Sequence, residues 1–319
     1  MRRILLLAVL AFTMSLLSCR SETHDYRQDM RDFVVFLRAY TDAKTPEFLL
    51  IPQNGEELLT LGDGYDTPPV EDYIAAIDGQ GREDLLYGYV ADNKPTAPKD
   101  TAFMRGHLVV AKNHGVQPLV TDYCWTVSNV DRSYDENARW DFISFAAPSR
   151  DLDIIPDYPP EPFNVNENDI LALADARNFL YLLDPHRFKD RQSYLSALVA
   201  TSYDILIIDA FFDEHLLTVD EVATLKTKPN GARRLVFAYM SIGEAEDYRY
   251  YWQESWRPGN PEWIESENPD WEGNYIVQYW HPEWQAIIAG APESYLDKIL
   301  ASEFDGAYLD IIDAYEYFE

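Results

Sequence analysis

The residues with the clearest chemical potential stand at the C-terminus, in the segment FDGAYLDIIDAYEYFE. The apolar run at 307–309 follows a turn-prone Asp-Gly pair, which is typical of a buried strand in a parallel sheet. This strand ends at Asp310. In an α/β barrel the C-terminal ends of the strands form the active face, so a carboxylate here favours catalysis. The alternative is a buried structural acid that hydrogen bonds hold in place.

Asp313 lies three residues beyond Asp310, and Glu316 lies three residues beyond Asp313. This is the spacing of a helix N-cap with its reciprocal acid, so the pattern favours a capping role for Asp313. A role in ligand binding stays open. The sequence ends one turn into the expected helix, so a complete barrel would need the rest of that helix from elsewhere in the chain.

Acids and amides follow several other strand-like segments. The set consists of Asn54, Glu83, Asp122, Asp209, Glu244 and Asp310. Each one alone is ordinary, because Asp and Asn at a strand end often cap the following helix. Together they would suit a polar ligand on one barrel face.

Strand patterns alternate with helical patterns along the chain. Residues 29–40 and 101–114 are expected to form helices. The apolar runs of strand length are 48–51, 73–77, 117–124, 142–147, 179–183, 204–208, 235–240, 275–280 and 307–310. Nine runs are one too many for eight strands, and we expect 142–147 to be a rim segment. The pattern predicts the α/β class, with residues 20–319 forming a single (β/α)8 TIM-like barrel.

Residues 1–19 have the pattern of an export signal. Two arginines precede an apolar run at 4–17, and a small residue precedes Cys19. This is a lipobox, in which Cys19 would be acylated and become the new N-terminus. The run is too short to span a bilayer, and a plain cleaved signal is the alternative. We therefore expect an exported protein that a lipid anchors to the cell envelope, at the outer membrane if the cell is Gram-negative.

Composition narrows the class of partner. The net charge of −29 disfavours nucleic acid and anionic lipid surfaces and would attract a cationic ligand; the alternative is that the acidity serves solubility alone. Neither the six histidines nor the cysteines have metal-ligand spacing, so we expect no metal and no cofactor. With Cys19 lipidated, Cys124 would be the one remaining cysteine, so no disulfide framework is expected. We expect a monomer.

Several long motifs resemble the endo-α-1,4-polygalactosaminidase family, glycoside hydrolase family 114. They are SIGEAEDYRYYW at 241–252, GNYIVQYWHPEWQ at 273–285 and FDGAYLDIIDAYEYFE at 304–319. Four further segments are similar to that family: DMRDFVVFLRAY, FLLIPQNGEELL, AIDGQGREDLLYG and FISFAAPSRDLD. In the family these four normally follow the DIIDAYEYF segment, whereas here they precede it.

This order implies a circularly permuted barrel that begins near helix 5 and ends after strand 5. Permutation is physically tolerable because a closed fold can be cut at a loop. Glu319 should then lie close to the residues just after Cys19. The alternative is a misassembled gene, or two truncated halves that meet across chains.

The resemblance implies a retaining glycosidase acting on an α-1,4-linked, galactosamine-type polysaccharide. Such enzymes use two carboxylates about 5 Å apart. The family motifs place the nucleophile at Asp310 and, less securely, the acid/base at Glu83. Glu83 would then need a raised pKa while Asp310 stays ionised. A salt bridge from Glu83 to Arg82 or Arg249 is the alternative interpretation.

Eight further side chains are expected at the substrate. Motif matches suggest Asp209, Tyr239, Glu244, Asp247 and Arg249, and strand-end positions add Asn54, Asp122 and Asp313. Carboxylates in this set could bind the ammonium group of the sugar. The segment FLYLLDP lacks a glutamine that the family would have there, so the exact sugar stays open. The other functional hypothesis is a lipid-anchored, non-catalytic carbohydrate-binding protein on the same barrel.

Overall fold

The computed structural model describes residues 24–319. The expected export signal and the expected lipidation site at Cys19 lie outside this range. Within it, no helix combines the length and the apolar character that crossing a membrane requires.

Helices and strands alternate along the described chain. The α-helices α1 to α8 are Tyr26–Asp42, Glu71–Ala75, Pro98–Asn113, Val127–Arg139, Arg191–Val199, Val219–Leu225, Pro282–Ile288 and Tyr295–Ala301. The strands β1 to β13 are Leu49–Pro52, Gly79–Glu83, Gln117–Tyr123, Ile143–Ala147, Phe179–Leu182, Ile205–Asp209, Phe211–Phe212, His215–Leu216, Leu235–Ser241, Glu244–Glu246, Ile264–Glu267, Asn274–Val277 and Gly306–Asp310. Short 3₁₀ helices cover Glu56–Leu59, Leu173–Asp175 and Ile312–Tyr317.

Two parallel sheets form the centre of the molecule. One has five strands in the order β1-β13-β9-β6-β5, and the other has three in the order β2-β3-β4. A parallel bridge between Gln53 and Gly81 connects β1 to β2. At the other edge, Phe145 of β4 packs against Phe179 of β5 with ring centroids 5.7 Å apart. Eight parallel strands thus follow one another in chain order, and the fold is mixed α/β as predicted.

Three strand assignments from the sequence are wrong. Residues 73–77 belong largely to helix α2, and the strand is the following segment, β2. The periodicity did not indicate β2 because its GQG sequence is poor in strand-forming side chains. The glycines serve close packing: a Cβ at Gly81 would lie 2.2 Å from the hydroxyl of Tyr308. The run at 275–280 contributes β12 to a separate antiparallel sheet, β10-β12-β11. The run at 142–147, expected at the rim, forms β4 of the central sheets.

The C-terminal residue lies beside the first described helix. Arg27 of α1 donates from Nε to Glu319 over 2.9 Å, and the rings of Tyr26 and Phe318 are 5.4 Å apart. The expected proximity of Glu319 to the N-terminal region therefore holds for residues 26 and 27. This proximity does not test the circular permutation, which stays a prediction.

The hydrophobic core lies inside and around the two central sheets. Residues of β5, β6, β9 and β13 are almost wholly buried, as continuous apolar strands of parallel sheets usually are. Large aromatic rings fill the interior beneath the strand ends, and Tyr181 meets Tyr308 edge to face at 5.1 Å. The polar side chains of the strand ends lie directly above this packed aromatic layer.

Candidate active site

A cleft of ≈ 1060 Å³ opens at the C-terminal ends of the parallel strands. Glu83 of β2, Asp209 of β6 and Asp310 of β13 all line it. In parallel sheets these ends meet at one edge, where open α/β folds usually bind ligands. The cleft is therefore the candidate site.

Glu83 and Asp310 are brought together by a residue that the sequence analysis missed, Gln53. Its Nε2 donates to Oε2 of Glu83 over 3.0 Å and to Oδ1 of Asp310 over 2.9 Å. Because one nitrogen touches both oxygens, these oxygens lie within about 6 Å of each other, close to the retaining separation of about 5 to 5.5 Å and below the inverting range.

Neutral donors surround the Glu83 carboxylate. The hydroxyl of Tyr123 donates to Oε1, and Nδ2 of Asn54 donates to Oε2 over 2.9 Å. The expected alternative, a salt bridge to an arginine, is wrong for the described residues: Arg82 pairs with Glu56 at 3.0 Å, and Arg249 pairs elsewhere. The carboxylate of Glu83 therefore lines the cleft and has no ion-pair partner among the described residues.

Asp310 has a similar neutral environment. The hydroxyl of Tyr239 donates to Oδ2 over 2.7 Å, and the backbone N–H of Ile311 donates to Oδ1 over 2.9 Å. Burial and the nearby Glu83 carboxylate nevertheless raise the pKa of Asp310 to about 7. The resemblance implied that Asp310 stays ionised, whereas this raised pKa lets the carboxyl keep its proton up to near-neutral pH, so the expectation is wrong below about pH 7.

Asp313 also lines the cleft, on the 3₁₀ helix that follows β13. It does not cap this helix. Ile311 occupies the N-cap position in a left-handed conformation, φ 58° and ψ 39°, and offers no side-chain cap. Burial, followed by the carboxylates of Asp310 and Glu316, raises the pKa of Asp313 to about 8. The capping interpretation is wrong, and Asp313 is a second protonated acid beside Asp310.

Asp209, in contrast, is held by an ion pair. Nη1 of Arg249 donates to both of its oxygens, at 2.9 and 2.8 Å, while Nε donates to Glu246 over 2.6 Å. Burial lowers the pKa of Arg249, but the two carboxylates outweigh it, so that pKa lies well above its usual value. All three residues line the cleft. Two carboxylates therefore share one permanent cation.

Three residues expected at the substrate do not line the cleft. Asp122 is fully buried, and it accepts hydrogen bonds from Leu86 N, Tyr87 N, Ser133 and Asn137. Strand residues alternate sides, so Asp122 faces helix α4 while its neighbour Tyr123 faces the cleft.

The other two are Glu244 and Asp247. Glu244 is buried and accepts from Asn268 over 2.8 Å and from Tyr317 over 3.1 Å, both of which line the cleft. Asp247 is exposed beside Gly273. The motif match at Glu244 thus selected a supporting residue: Glu246, two positions further on, lines the cleft, and Glu244 hydrogen-bonds to residues that do.

The walls of the cleft are acidic and aromatic. Twelve lining residues are Asp or Glu, against four Arg or Lys. Tyr248, Tyr250, Trp271 and Tyr317 also line it, and each is between 40% and 55% exposed. Such rings offer flat faces on which sugar rings stack. Among residues 24–319, no cluster of His, Cys, Asp or Glu has an arrangement that could hold a metal ion.

Sequence signals existed for some of the missed residues. Gln53 directly precedes Asn54 at the end of β1, and Tyr123 directly follows Asp122 at the end of β3. Knowing which of two neighbours points inward would have selected Tyr123 over Asp122, whereas Gln53 and Asn54 both reach the cleft. Glu246 stands two residues after Glu244, the residue that the motif match suggested. Trp271 lies on a loop and had no signal in the strand pattern.

Comparison with known proteins identifies the C-terminal half. Residues 171–319 match the model of the glycoside-hydrolase family GH114. An uncharacterized protein of Methanocaldococcus jannaschii, MJ1477, is 42% identical over 155 residues, which are 48% of this chain and 42% of that protein. An uncharacterized protein of Deinococcus radiodurans is 41% identical over 125 residues, 39% of this chain and 38% of that protein. An uncharacterized protein of Thermotoga maritima is 52% identical over 80 residues, 25% of this chain and 24% of that protein. The matches thus span at most about two-fifths of these relatives.

Proposed function

We propose that the chain is a retaining glycoside hydrolase, because its residues 171–319 match the model of the glycoside-hydrolase family GH114. The single observation that carries the mechanism is the Gln53 amide that touches both Glu83 and Asp310. It sets an upper limit of about 6 Å on the distance from Oε2 of Glu83 to Oδ1 of Asp310, which supports a retaining rather than an inverting pair. Asp310 is the proposed nucleophile and Glu83 the proposed acid/base.

The reaction proceeds in two displacements. An oxygen of Asp310 attacks the anomeric carbon while Glu83 gives its proton to the departing glycosidic oxygen, so that the glycosidic bond breaks and a glycosyl ester forms. Water then attacks the same carbon, Glu83 takes a proton from it, and the ester bond to Asp310 breaks. The anomeric configuration is retained because each step inverts it once.

The scheme requires Asp310 to lose its proton before the reaction. The mechanism needs one proton on Glu83 and a negative charge on Asp310. Burial and the Glu83 carboxylate raise the pKa of Asp310 to about 7, so Asp310 keeps its proton up to that pH. A bound cation would stabilise the ionised form of Asp310. We therefore expect substrate binding to help move Asp310 into its reactive state.

A cationic amino-sugar polymer is the proposed substrate. Twelve acids against four basic residues give the cleft a negative potential that attracts ammonium groups. The exposed rings of Trp271 and Tyr248 would stack on sugars. An α-1,4-linked galactosamine polymer fits both the charge and the family.

The architecture and the location are part of the same proposal. We infer that the two central sheets close into one eight-stranded (β/α)8 barrel, because they adjoin at both edges: Gln53 with Gly81, and Phe145 with Phe179. The contact between Arg27 and Glu319 supports a permuted order. Export and a lipid anchor at Cys19 remain proposals from the sequence alone.

Hydrolysis of soluble α-1,4-galactosamine oligomers tests the function directly. The wild-type chain should release products whose initial anomeric configuration, followed by proton NMR, is that of the substrate. With an activated aryl glycoside, azide should rescue Glu83→Ala with retention and Asp310→Ala with inversion, which separates the two roles. Inversion by the wild type would contradict the mechanism.

The non-catalytic carbohydrate-binding alternative predicts a different result. In that case the wild type would bind the oligomers without cleaving them, and Asp310→Asn would only weaken binding. In an enzyme, Asp310→Asn abolishes cleavage and spares binding. Calorimetry with the intact oligomer, beside the cleavage assay, distinguishes these outcomes.

A further inference from the structure

Gln53 occupies the junction between the strands that carry the two proposed catalytic carboxylates. Its backbone N–H donates to Leu309 O of β13 over 2.8 Å, and the next residue, Asn54, donates to Gly81 O of β2 over 2.9 Å. Strand β1 thus lies between the strand of Asp310 and the strand of Glu83. The main chain at Gln53 is fixed to both neighbours, so its side chain has a defined origin.

The amide of Gln53 can face the two carboxylates in one orientation only. Its NH₂ group carries two hydrogens, one for each acceptor oxygen. When both carboxyls are ionised, a flipped amide would instead direct its own oxygen at two negatively charged oxygens. The observed contacts, at 3.0 Å to Glu83 and 2.9 Å to Asp310, therefore use the full donor capacity of the group.

This orientation has a structural cost. The other end of the amide, Oε1 of Gln53, is buried and has no hydrogen-bond partner among residues 24–319. A buried unsatisfied acceptor costs on the order of 1 to 3 kcal/mol. Such a cost is more readily explained at a functional position than in a purely structural one.

We propose that Gln53 is a positioning residue, which fixes the separation of the Glu83 and Asp310 carboxylates and favours the ionised form of Asp310. This inference rests on the proposed hydrolase function. The amide does two things at once. It opposes the mutual repulsion of two like charges, and it supplies each with a donor that stabilises the charged form.

Other ionisable groups also face Asp310, and they must be held constant in a test. They are the carboxyls of Glu83, Glu244 and Asp313 and the phenols of Tyr181, Tyr239 and Tyr308. The carboxyls oppose ionisation of Asp310, while the hydrogen bond from Tyr239 favours it. Removal of Gln53 leaves all of these in place and deletes one donor from Asp310 and one from Glu83.

The test is Gln53→Met, which keeps the length of the side chain and removes both amide functions. Asp310 then loses a donor to its charged form, so its pKa should rise by about one unit. The acidic limb of the kcat/KM profile should move up by the same amount. With the two carboxylates no longer held together, kcat should fall by about 10- to 100-fold, while KM changes much less.

Gln80 provides a matched control. It is also a buried glutamine near the same strand ends, and its Oε1 likewise lacks a partner among the described residues. Its Nε2, however, donates to backbone carbonyls, Asn54 O at 2.9 Å and Gly81 O at 3.0 Å, and not to a carboxylate. Gln80→Met should lower stability without moving the pH profile.

A second variant covers a failure of Gln53→Met to fold. Gln53→Leu also removes both amide functions and adds no ionisable group, so it cannot bridge the carboxylates, and a similar upward shift of the acidic limb is expected. If neither Gln53 variant moves the profile, or if Gln80→Met moves it equally, Gln53 has no positioning role.

A titration without substrate separates this inference from the proposed function. With carbon-13 in the aspartate carboxyl groups, NMR follows Asp310 directly, and Asp310→Asn assigns its signal. The Asp310 midpoint should be higher in Gln53→Met than in the wild type and in Gln80→Met. If no amino-sugar polymer is cleaved, the hydrolase proposal fails, yet this titration still decides whether Gln53 controls Asp310.

Discussion

The cleft contains two pairs of carboxylates that are stabilised in different ways. Asp209 and Glu246 share the guanidinium of Arg249, at 2.8 and 2.6 Å. Glu83 and Asp310 share a neutral amide and are otherwise surrounded by phenols, an amide and a backbone N–H. A permanent cation favours the ionised form of its partners, although burial still raises the pKa of Asp209 above its usual value. Neutral donors leave the proton free to move between states.

The two pairs are therefore suited to different roles, one structural and one catalytic. An acid/base must change protonation during the reaction, and a carboxylate in a strong ion pair does so only at high cost. Asp209 and Glu246 are therefore suited to holding the shape and negative potential of the cleft. Glu83 and Asp310 are suited to proton transfer and nucleophilic attack.

The largest contrast is expected between Asp310→Asn and Asp209→Asn. Loss of the nucleophile should lower kcat by about 10⁴-fold or more, since no other group can form the ester. Asp209→Asn should lower kcat far less, and it should also destabilise the fold by leaving Arg249 half paired. Steady-state kinetics and urea unfolding of both variants measure this. Equal losses of kcat would remove the functional distinction between the pairs.

Arg249→Met tests the ion-paired cluster. It leaves two buried carboxylates without their cation, which should lower the free energy of unfolding by about 3 to 5 kcal/mol. Arg249→Lys, the matched control, keeps the charge but loses the bidentate contact, so it should recover only part of this loss. Chemical denaturation of the three proteins gives the comparison, and an unchanged midpoint in Arg249→Met would show that the cluster contributes no stability.

The pH dependence of stability tests the neutral cluster. The pKa of Asp310 rises from 3.8 to about 7 and that of Asp313 to about 8 in the folded chain. The folded state then binds more protons than the unfolded state between these values. The contribution of these groups is complete below about pH 4 and is lost as pH rises towards 8, on the order of a few kcal/mol.

Asp310→Asn should accordingly flatten this slope and be more stable than the wild type at pH 8. Unfolding curves at pH 5 and pH 8 provide the measurement. If stability instead rose with pH and the variant followed the wild type, the raised pKa of Asp310 would be contradicted.

The smallest effect is expected at Asp247. Its side chain is exposed and does not line the cleft. Asp247→Asn should change the free energy of unfolding by less than about 0.5 kcal/mol, as surface substitutions usually do. It should leave kcat and KM unchanged within error. A marked rise in KM would restore Asp247 to the substrate site that the sequence first suggested.

Hydrophobic periodicity predicted most of the central strands but failed where glycines take the place of apolar side chains. β2 was missed because its glycine-rich sequence has no apolar alternation. Gly81 instead leaves room for the side chain of Tyr308. β12 was misplaced because a short apolar run does not show which sheet it joins. The capping prediction for Asp313 failed since the chain turns two residues earlier, at Ile311.

The sequence alone determined the α/β class, the family of residues 171–319 and the two acids Asp310 and Glu83 as candidates, because these depend on local patterns and motifs. Tertiary structure decided which strand-end residues face the cleft. It selected Tyr123 over Asp122 and Glu246 over Glu244, and it placed Gln53 between two acids that are 227 positions apart in the chain. The physical reason is that the direction of a side chain and the charge beside it are set by the neighbouring strands, which come from distant parts of the sequence.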